Sequence, residues 1–162
     1  MSSAQSVSFE EFLAAVSPEC KDFVSKAHEG LISDGYKLKI EFKASGPFAS
    51  YSYPKTKRSI LNFFFRKSGF FARIYVDNAS EHADFLNSLP DTMEREIAKS
   101  SVCKRMLNPA ECNPKCAMGY DFYIRGDRYQ KCRYSCFQFA VNTESMNAIS
   151  TFIENEQKKR AG

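Results

Sequence analysis

Five of the six cysteines of this chain lie between Cys103 and Cys136, and no other stretch has as many reactive side chains. Four of them form two pairs of equal spacing, Cys112-x3-Cys116 and Cys132-x3-Cys136. Thiolates bind Zn²⁺ well, and a structural zinc site takes four ligands in a tetrahedron. The pattern therefore predicts a thiol-based site for zinc, with Cys103, Cys112, Cys116, Cys132 and Cys136 as candidate ligands.

Strand geometry restricts which of these sulfurs can share one ion. In a straight strand, Cys132 and Cys136 lie roughly 13 Å apart at about 3.3 Å per residue. Sulfurs on one zinc lie within about 4 Å of each other, given Zn–S bonds of about 2.3 Å. A shared site therefore requires a bulge or turn at residues 133–135. The alternative is that one cysteine of this pair joins two of the three upstream cysteines.

Two other interpretations of the thiols stay open. Cysteine pairs on neighbouring segments can come within bridging distance, which predicts redox-active or stabilising disulfides. Cysteine is also among the most buried residue types, so the thiols can be inert and part of the packing. The sixth cysteine, Cys20, lies one turn before Phe23 on a helical face and is expected to act as a small buried hydrophobe.

Length and composition indicate a folded domain of ordinary type. The chain has 162 residues, 43% hydrophobic and 26% charged, with a net charge of +4. Its first eight residues lack the basic and apolar regions of a signal peptide, and no apolar run is long enough for a membrane span. The expected compartment is therefore the cytoplasm, without membrane association. Cysteine pairs there favour metal or redox chemistry over structural disulfides.

Hydrophobic periodicity predicts an α+β fold with a mainly antiparallel sheet of about six strands and helices packed against it. Ser8 and Glu11 form a capping-box pattern at the start of the first helix. Alternation of apolar residues over 36–43, together with apolar and aromatic runs over 48–53, 60–65, 70–76, 120–125 and 128–141, predicts strands, and a last helix is expected from Asn142 or Thr143. The strand over 60–65 is apolar on both faces, so it should be central and covered on both sides. We predict a single domain over 8–155 containing the cysteine-rich segment 103–136, with a disordered tail over 1–7 and a charged tail over 156–162.

No sequence motif points to an enzyme. Nucleotide-binding glycine motifs and H-E-x-x-H are absent, and the two histidines, His28 and His82, are expected to be structural. Aromatic and basic residues do alternate on two groups of predicted strands, which is typical of nucleic-acid stacking surfaces. The first group is Tyr51, Tyr53, Phe71, Arg73 and Tyr75, and the second is Tyr123, Arg125, Arg128, Tyr129, Lys131 and Arg133. A net charge of +4 is low for a dedicated nucleic-acid binder, so this function is the alternative rather than the leading one.

Several segments resemble small uncharacterised proteins of anaerobic Gram-positive bacteria. The resemblance lies in residues 35–40, 53–58 and 104–109, and in the cysteine block through 116–122 and 129–134. It implies no particular activity. The order of elements is also similar to that of the MmcQ/YjbR-like small α+β domains, which implies a cytoplasmic domain with a DNA-binding or regulatory role.

The leading hypothesis is a cytoplasmic binding or regulatory domain with a structural or sensory zinc site. An unknown small ligand or protein would bind beside the thiols, because an aromatic-rich sheet can form an apolar cleft. The alternatives are a nucleic-acid-binding regulator and a thiol-redox protein.

Overall fold

The computed structural model describes residues 8–108, 110 and 119–161. Contacts within the chain divide it into two compact units. The first unit contains the chain up to Ile74 and again from Ala140, and the second contains Tyr75–Phe139. In sequence, the second unit is therefore an insertion into the first. The single domain expected for residues 8–155 stays a prediction.

The described part of the first unit begins with two helices, continues with four strands and ends with a long helix. These elements are α1 (Phe9–Ala15), α2 (Pro18–Ser33), β1 (Lys37–Lys43), β2 (Gly46–Ser52), β3 (Ser59–Arg66), β4 (Gly69–Ile74) and α6 (Met146–Ala161). The predicted capping box is confirmed: Glu11 N donates to Ser8 Oγ at 3.2 Å, and Ser8 N donates to Glu11 Oε1 at 3.4 Å. Two amide donors at the start of α1 are thereby satisfied.

The sheet has the strand order β1-β2-β3-β4-β7, where β7 is Gln138–Ala140. Strands β1 to β4 pair antiparallel in sequence order. Strand β7 returns the chain to the first unit, and Val141 N then donates to Phe70 O at 2.9 Å. The prediction that β3 is central is therefore confirmed.

Helices α1 and α2 pack on one face of this sheet. Phe12 of α1 and Phe23 of α2 lie 6.4 Å and 5.8 Å from the ring of Phe63 in β3. Helix α6 lies beside α2, and Gln157 Nε2 donates to Asp34 Oδ2 at 2.6 Å. Burial of these rings supplies the apolar core of the first unit.

The second unit, where it is described, combines short helices with a hairpin. Its elements are a 3₁₀ helix (Ala79–His82), α3 (Ala83–Asn87), α4 (Asp91–Lys99), α5 (Lys104–Leu107), β5 (Tyr120–Ile124) and β6 (Asp127–Lys131). Strands β5 and β6 pair antiparallel from Tyr120↔Lys131 to Ile124↔Asp127. Arg125 and Gly126 make the turn with positive φ values of 47° and 91°, as a two-residue hairpin loop requires. The strand predicted over 120–125 and the start of the one predicted over 128–141 are confirmed.

The fold class is confirmed as α+β with mainly antiparallel sheets, and the described strands form one sheet of five and one of two. Two boundaries differ from expectation. The strand expected over 128–141 is interrupted between Lys131 and Gln138. The charged segment expected as a tail from residue 156 is the end of α6, because Arg160 Nη2 donates to Ser59 O at 2.9 Å and ties the helix end to β3. Among the described helices, none has both the length and the apolar character needed to cross a bilayer.

Candidate functional site

The interruption after β6 is a helical turn that begins at Cys132. Ser135 N and Cys136 N donate to Cys132 O at 3.1 Å and 2.9 Å. An i→i+4 bond of this kind brings two residues onto consecutive turns, with Cβ atoms roughly 5–6 Å apart in a regular helix. A straight strand would separate Cys132 and Cys136 by roughly 13 Å. The turn that a shared metal site requires at residues 133–135 is therefore present.

Cys103 lies beside this turn through a short antiparallel pairing. Val102 bridges Lys131, Cys103 N donates to Gln130 O at 3.0 Å, and Cys132 N donates to Ser101 O at 2.8 Å. In antiparallel pairing, Cys103 and Cys132 are diagonal neighbours on one side, about 7–8 Å apart. Three of the five predicted ligands are thereby brought to one end of the β5–β6 hairpin.

The chain re-enters this region at Gly119, whose N–H donates to Cys103 Sγ at 3.3 Å. A Cβ at Gly119 would meet the carbonyl oxygen of Lys131 and the side chain of Cys103, so only glycine fits here. The segment that precedes Gly119 carries Cys112 and Cys116, and these two predicted ligands lie outside the described residues.

The described cysteines are free thiols. Cys103 and Cys136 are buried, whereas Cys132 is half-buried. Burial raises the pKa of the Cys136 thiol well above its usual value, and nearby Cys132 raises that pKa further while Lys131 lowers it. Without a metal, Cys136 is therefore protonated at neutral pH and is a poor nucleophile. Cys20, in the first unit, is buried as expected.

A complete metal site is not formed by the described residues alone. Within residues 8–108, 110 and 119–161, no three His, Cys, Asp or Glu side chains gather into a metal-binding group. The turn brings Cys132 and Cys136 together, and Cys103 lies on the adjacent strand. A four-coordinate site would therefore need Cys112, Cys116 or both to complete it.

The basic and tyrosine-rich residues beside the thiols are engaged within the second unit. Lys131 Nζ donates to Ala98 O at 2.9 Å and to Ser100 O at 3.0 Å. The Arg133 guanidinium lies 4.6 Å from the ring centroid of Tyr120. Arg128 makes two bonds to Asp121, at 2.9 Å and 2.7 Å, and the bond lowers the pKa of the Asp121 carboxyl. These contacts stabilise the β5–β6 hairpin, which ends immediately before Cys132.

In the first unit, the predicted stacking residues fall on different faces of the sheet. Tyr51 is fully buried on the face that carries the helices, and its hydroxyl lies 2.8 Å from His28 Nδ1. Phe71 and Arg73 lie on the opposite face, where β3 contributes Phe64 and Arg66. Phe64 and Arg66 are not among the predicted stacking residues. The signal for Phe64 is the four-residue connection between the strands predicted over 60–65 and 70–76, because a hairpin there places Phe64 opposite Phe71.

A cleft of about 380 Å³ lies in the first unit between the end of α2, the loop after β2 and the end of α6. The polar and aromatic residues that line it include Tyr36, Tyr53, Arg58 and Arg160. Its volume is within the range of small-molecule sites, about 300–1,000 Å³. A small ligand of the kind expected from the aromatic composition would fit this cleft by size.

Comparison of the chain with protein-family models, curated proteins and solved structures finds no match. The resemblance to small proteins of anaerobic Gram-positive bacteria and the similarity in element order to MmcQ/YjbR-like domains therefore stay predictions.

Proposed function

We propose that this protein is a cytoplasmic binding or regulatory domain whose cysteine block holds a structural or sensory zinc ion. The observation that carries the proposal is the turn at Cys132, whose carbonyl accepts from Cys136 N at 2.9 Å. In a regular helix such a turn puts the Cβ atoms of a C-x3-C pair roughly 5–6 Å apart, which supports shared coordination where a straight strand would exclude it. A reducing compartment keeps such thiols available to a metal.

The remaining ligands are assigned by chain position and chemistry. Cys112 and Cys116 repeat the x3 spacing and lie within residues 111–119, the nine residues that follow Ala110. The N–H of Gly119 donates to Cys103 Sγ, so this segment ends beside the described thiols. We assign Cys112, Cys116, Cys132 and Cys136 as the zinc ligands, with Cys103 as the fifth candidate. Zinc would supply folding free energy to the second unit by joining two segments that are far apart in sequence.

The first test is metal content measured beside a thiol count, on full-length protein purified without chelator or reductant. We expect about one zinc per chain and four or five masked thiols that become reactive when chelator is added. Cys132→Ser and Cys136→Ser should each lose most of the zinc. Cys20→Ala is the matched control, because Cys20 is also buried but lies in the first unit, and it should keep full stoichiometry.

Three outcomes would contradict the assignment. Absence of metal with six reactive thiols would show that the cysteines of the block serve only in packing. Absence of metal with two or four thiols recovered only after reduction would favour the disulfide alternative. Unchanged zinc in Cys132→Ser and Cys136→Ser would exclude this pair as ligands.

A further inference from the structure

The face of the first-unit sheet opposite α1 and α2 carries a stack of three phenylalanine rings. Phe48 of β2 stacks on Phe64 of β3 at 5.6 Å and 22°, and Phe64 stacks on Phe71 of β4 at 5.8 Å and 18°. The strand register produces this row, because Phe64 pairs with Phe71 directly and Phe48 continues the same alternation on β2. Phe48 and Phe71 remain half-exposed.

Cationic side chains lie over these rings. The Arg73 guanidinium is 4.8 Å from the ring centroid of Phe64, and that of Arg66 is 5.1 Å from the same ring and 5.7 Å from Phe71. Lys43 Nζ lies 5.5 Å from the ring of Phe48. Phe64 is only 4% exposed, although it faces away from α1 and α2, since two guanidinium groups lie over its ring. We name Lys43, Phe48, Phe64, Arg66, Phe71 and Arg73 the arginine–phenylalanine face.

The charge on this side of the sheet is strongly positive. The residues of β1 that alternate onto it are Lys37, Lys39, Glu41 and Lys43. With Arg66 and Arg73, the four strands β1–β4 therefore present five cations and one carboxylate on this face. Glu41 is shared between Lys39 at 3.7 Å and Lys43 at 3.8 Å. An exposed arrangement of this kind attracts a polyanion.

We propose that the arginine–phenylalanine face binds single-stranded nucleic acid. Unpaired bases have flat faces that stack on aromatic rings and on guanidinium planes, and their phosphates pair with arginine and lysine. A duplex hides its bases within the stack, and an acidic peptide lacks a row of planar groups to match the row of rings. No cysteine lies in strands β1–β4, so none of the proposed zinc ligands belongs to this face.

The test is fluorescence anisotropy of labelled twelve-nucleotide oligo-U and oligo-dT with the full-length protein at 50 and 200 mM salt. We expect binding that weakens as salt rises, because phosphate contacts release counterions. Arg66→Gln and Phe71→Leu should each weaken binding about fivefold or more, as expected for the loss of one stacking or phosphate contact.

Each variant has a control on another surface: one removes a positive charge, and the other makes the same phenylalanine-to-leucine change. Lys26→Gln removes one exposed positive charge on α2, and Phe42→Leu changes a phenylalanine that is 66% exposed on the helix-bearing side of β1. Both controls should bind like the wild type, and circular dichroism verifies that all four variants are folded.

Three results would overturn the proposal. The first is no anisotropy change up to about 100 μM protein at 50 mM salt, a limit that already includes weak non-specific binding. The second is equal affinity of the Arg66→Gln and Phe71→Leu variants and their controls. The third is that heparin displaces the oligonucleotide while Phe71→Leu binds it as tightly as the wild type does. Binding would then depend on charge alone, and the face would be a general polyanion surface.

Discussion

Glu94 on α4 holds the β5–β6 hairpin through two donors. Its Oε1 contacts Arg125 Nη2, and its Oε2 accepts a hydrogen bond from the Tyr129 hydroxyl at 3.0 Å. Strand β6 ends at Lys131, immediately before Cys132. We therefore predict that Glu94→Ala destabilises the hairpin and loosens the turn that carries the Cys132 thiol.

The size of the effect follows from the exposure of the partners. The Glu94 side chain is 17% exposed and that of Arg125 is 41% exposed, so solvent screens the ion pair, which contributes about 0.5 kcal/mol. A hydrogen bond from a hydroxyl to a carboxylate contributes about 1.5 kcal/mol. We expect Glu94→Ala to lower the free energy of unfolding by about 2 kcal/mol, and Tyr129→Phe by about 1.5 kcal/mol.

The assay is urea unfolding followed by circular dichroism, with amide hydrogen exchange over 127–131 as the local measurement. Asp91→Asn is the matched control, because Asp91 lies on the same helix, 3.5 Å from the same Arg125, but is 86% exposed. The control substitution should lower the free energy of unfolding by less than about 0.5 kcal/mol. If Glu94→Ala and Asp91→Asn have equal effects, the two donors do not stabilise the hairpin and the reasoning is wrong.

Three further predictions concern the first unit. Burial lowers the pKa of His28, against the opposing effect of Glu29 and Glu10. Below pH about 6.5 the unfolded state therefore binds more protons, so the stability measured by urea unfolding should fall from pH 7.5 to 5.5, and this fall should shrink in His28→Gln. Phe12→Ala, which removes a fully buried ring, should cost about 3–5 kcal/mol in the same assay, and a loss under about 1 kcal/mol would contradict the described packing. Ser8→Ala should cost about 1 kcal/mol by removing the capping box, and an unchanged unfolding midpoint would contradict that role.

Local patterns predicted the first unit well because its contacts are mostly between neighbours in sequence. Apolar and aromatic runs predicted β3 and β4, and the short connection between them sets the register that aligns Phe64 with Phe71. The same runs could not show that arginines would lie over Phe64. That arrangement depends on rotamers of long side chains, which sequence periodicity does not encode.

The second unit was predicted less completely because the positions at which its strands end depend on residues that are distant in the sequence. The alternation over 128–141 continues through the cysteines and favours one long strand, but the strand stops after Lys131. Pairing with residues 101–103 then holds Cys132 in place: Cys132 N donates to Ser101 O, thirty-one residues upstream in the sequence. In the first unit, the tail expected over 156–162 differs for the same reason, because Arg160 Nη2 donates to Ser59 O, which is far away in the sequence. Neither the Cys132–Ser101 contact nor the Arg160–Ser59 contact can be predicted from the neighbouring residues in the sequence.

The two proposed sites can be tested against each other in one protein sample. The proposed zinc ligands all follow Tyr75, whereas the arginine–phenylalanine face belongs to strands β1–β4. Chelation should therefore increase amide exchange over 119–136, because metal binding free energy is folding free energy there, and should leave the affinity for oligo-U unchanged. Loss of oligonucleotide binding on chelation would show instead that the cysteine block takes part in binding. That result would refute the assignment of binding to the first-unit face alone, even if zinc is present.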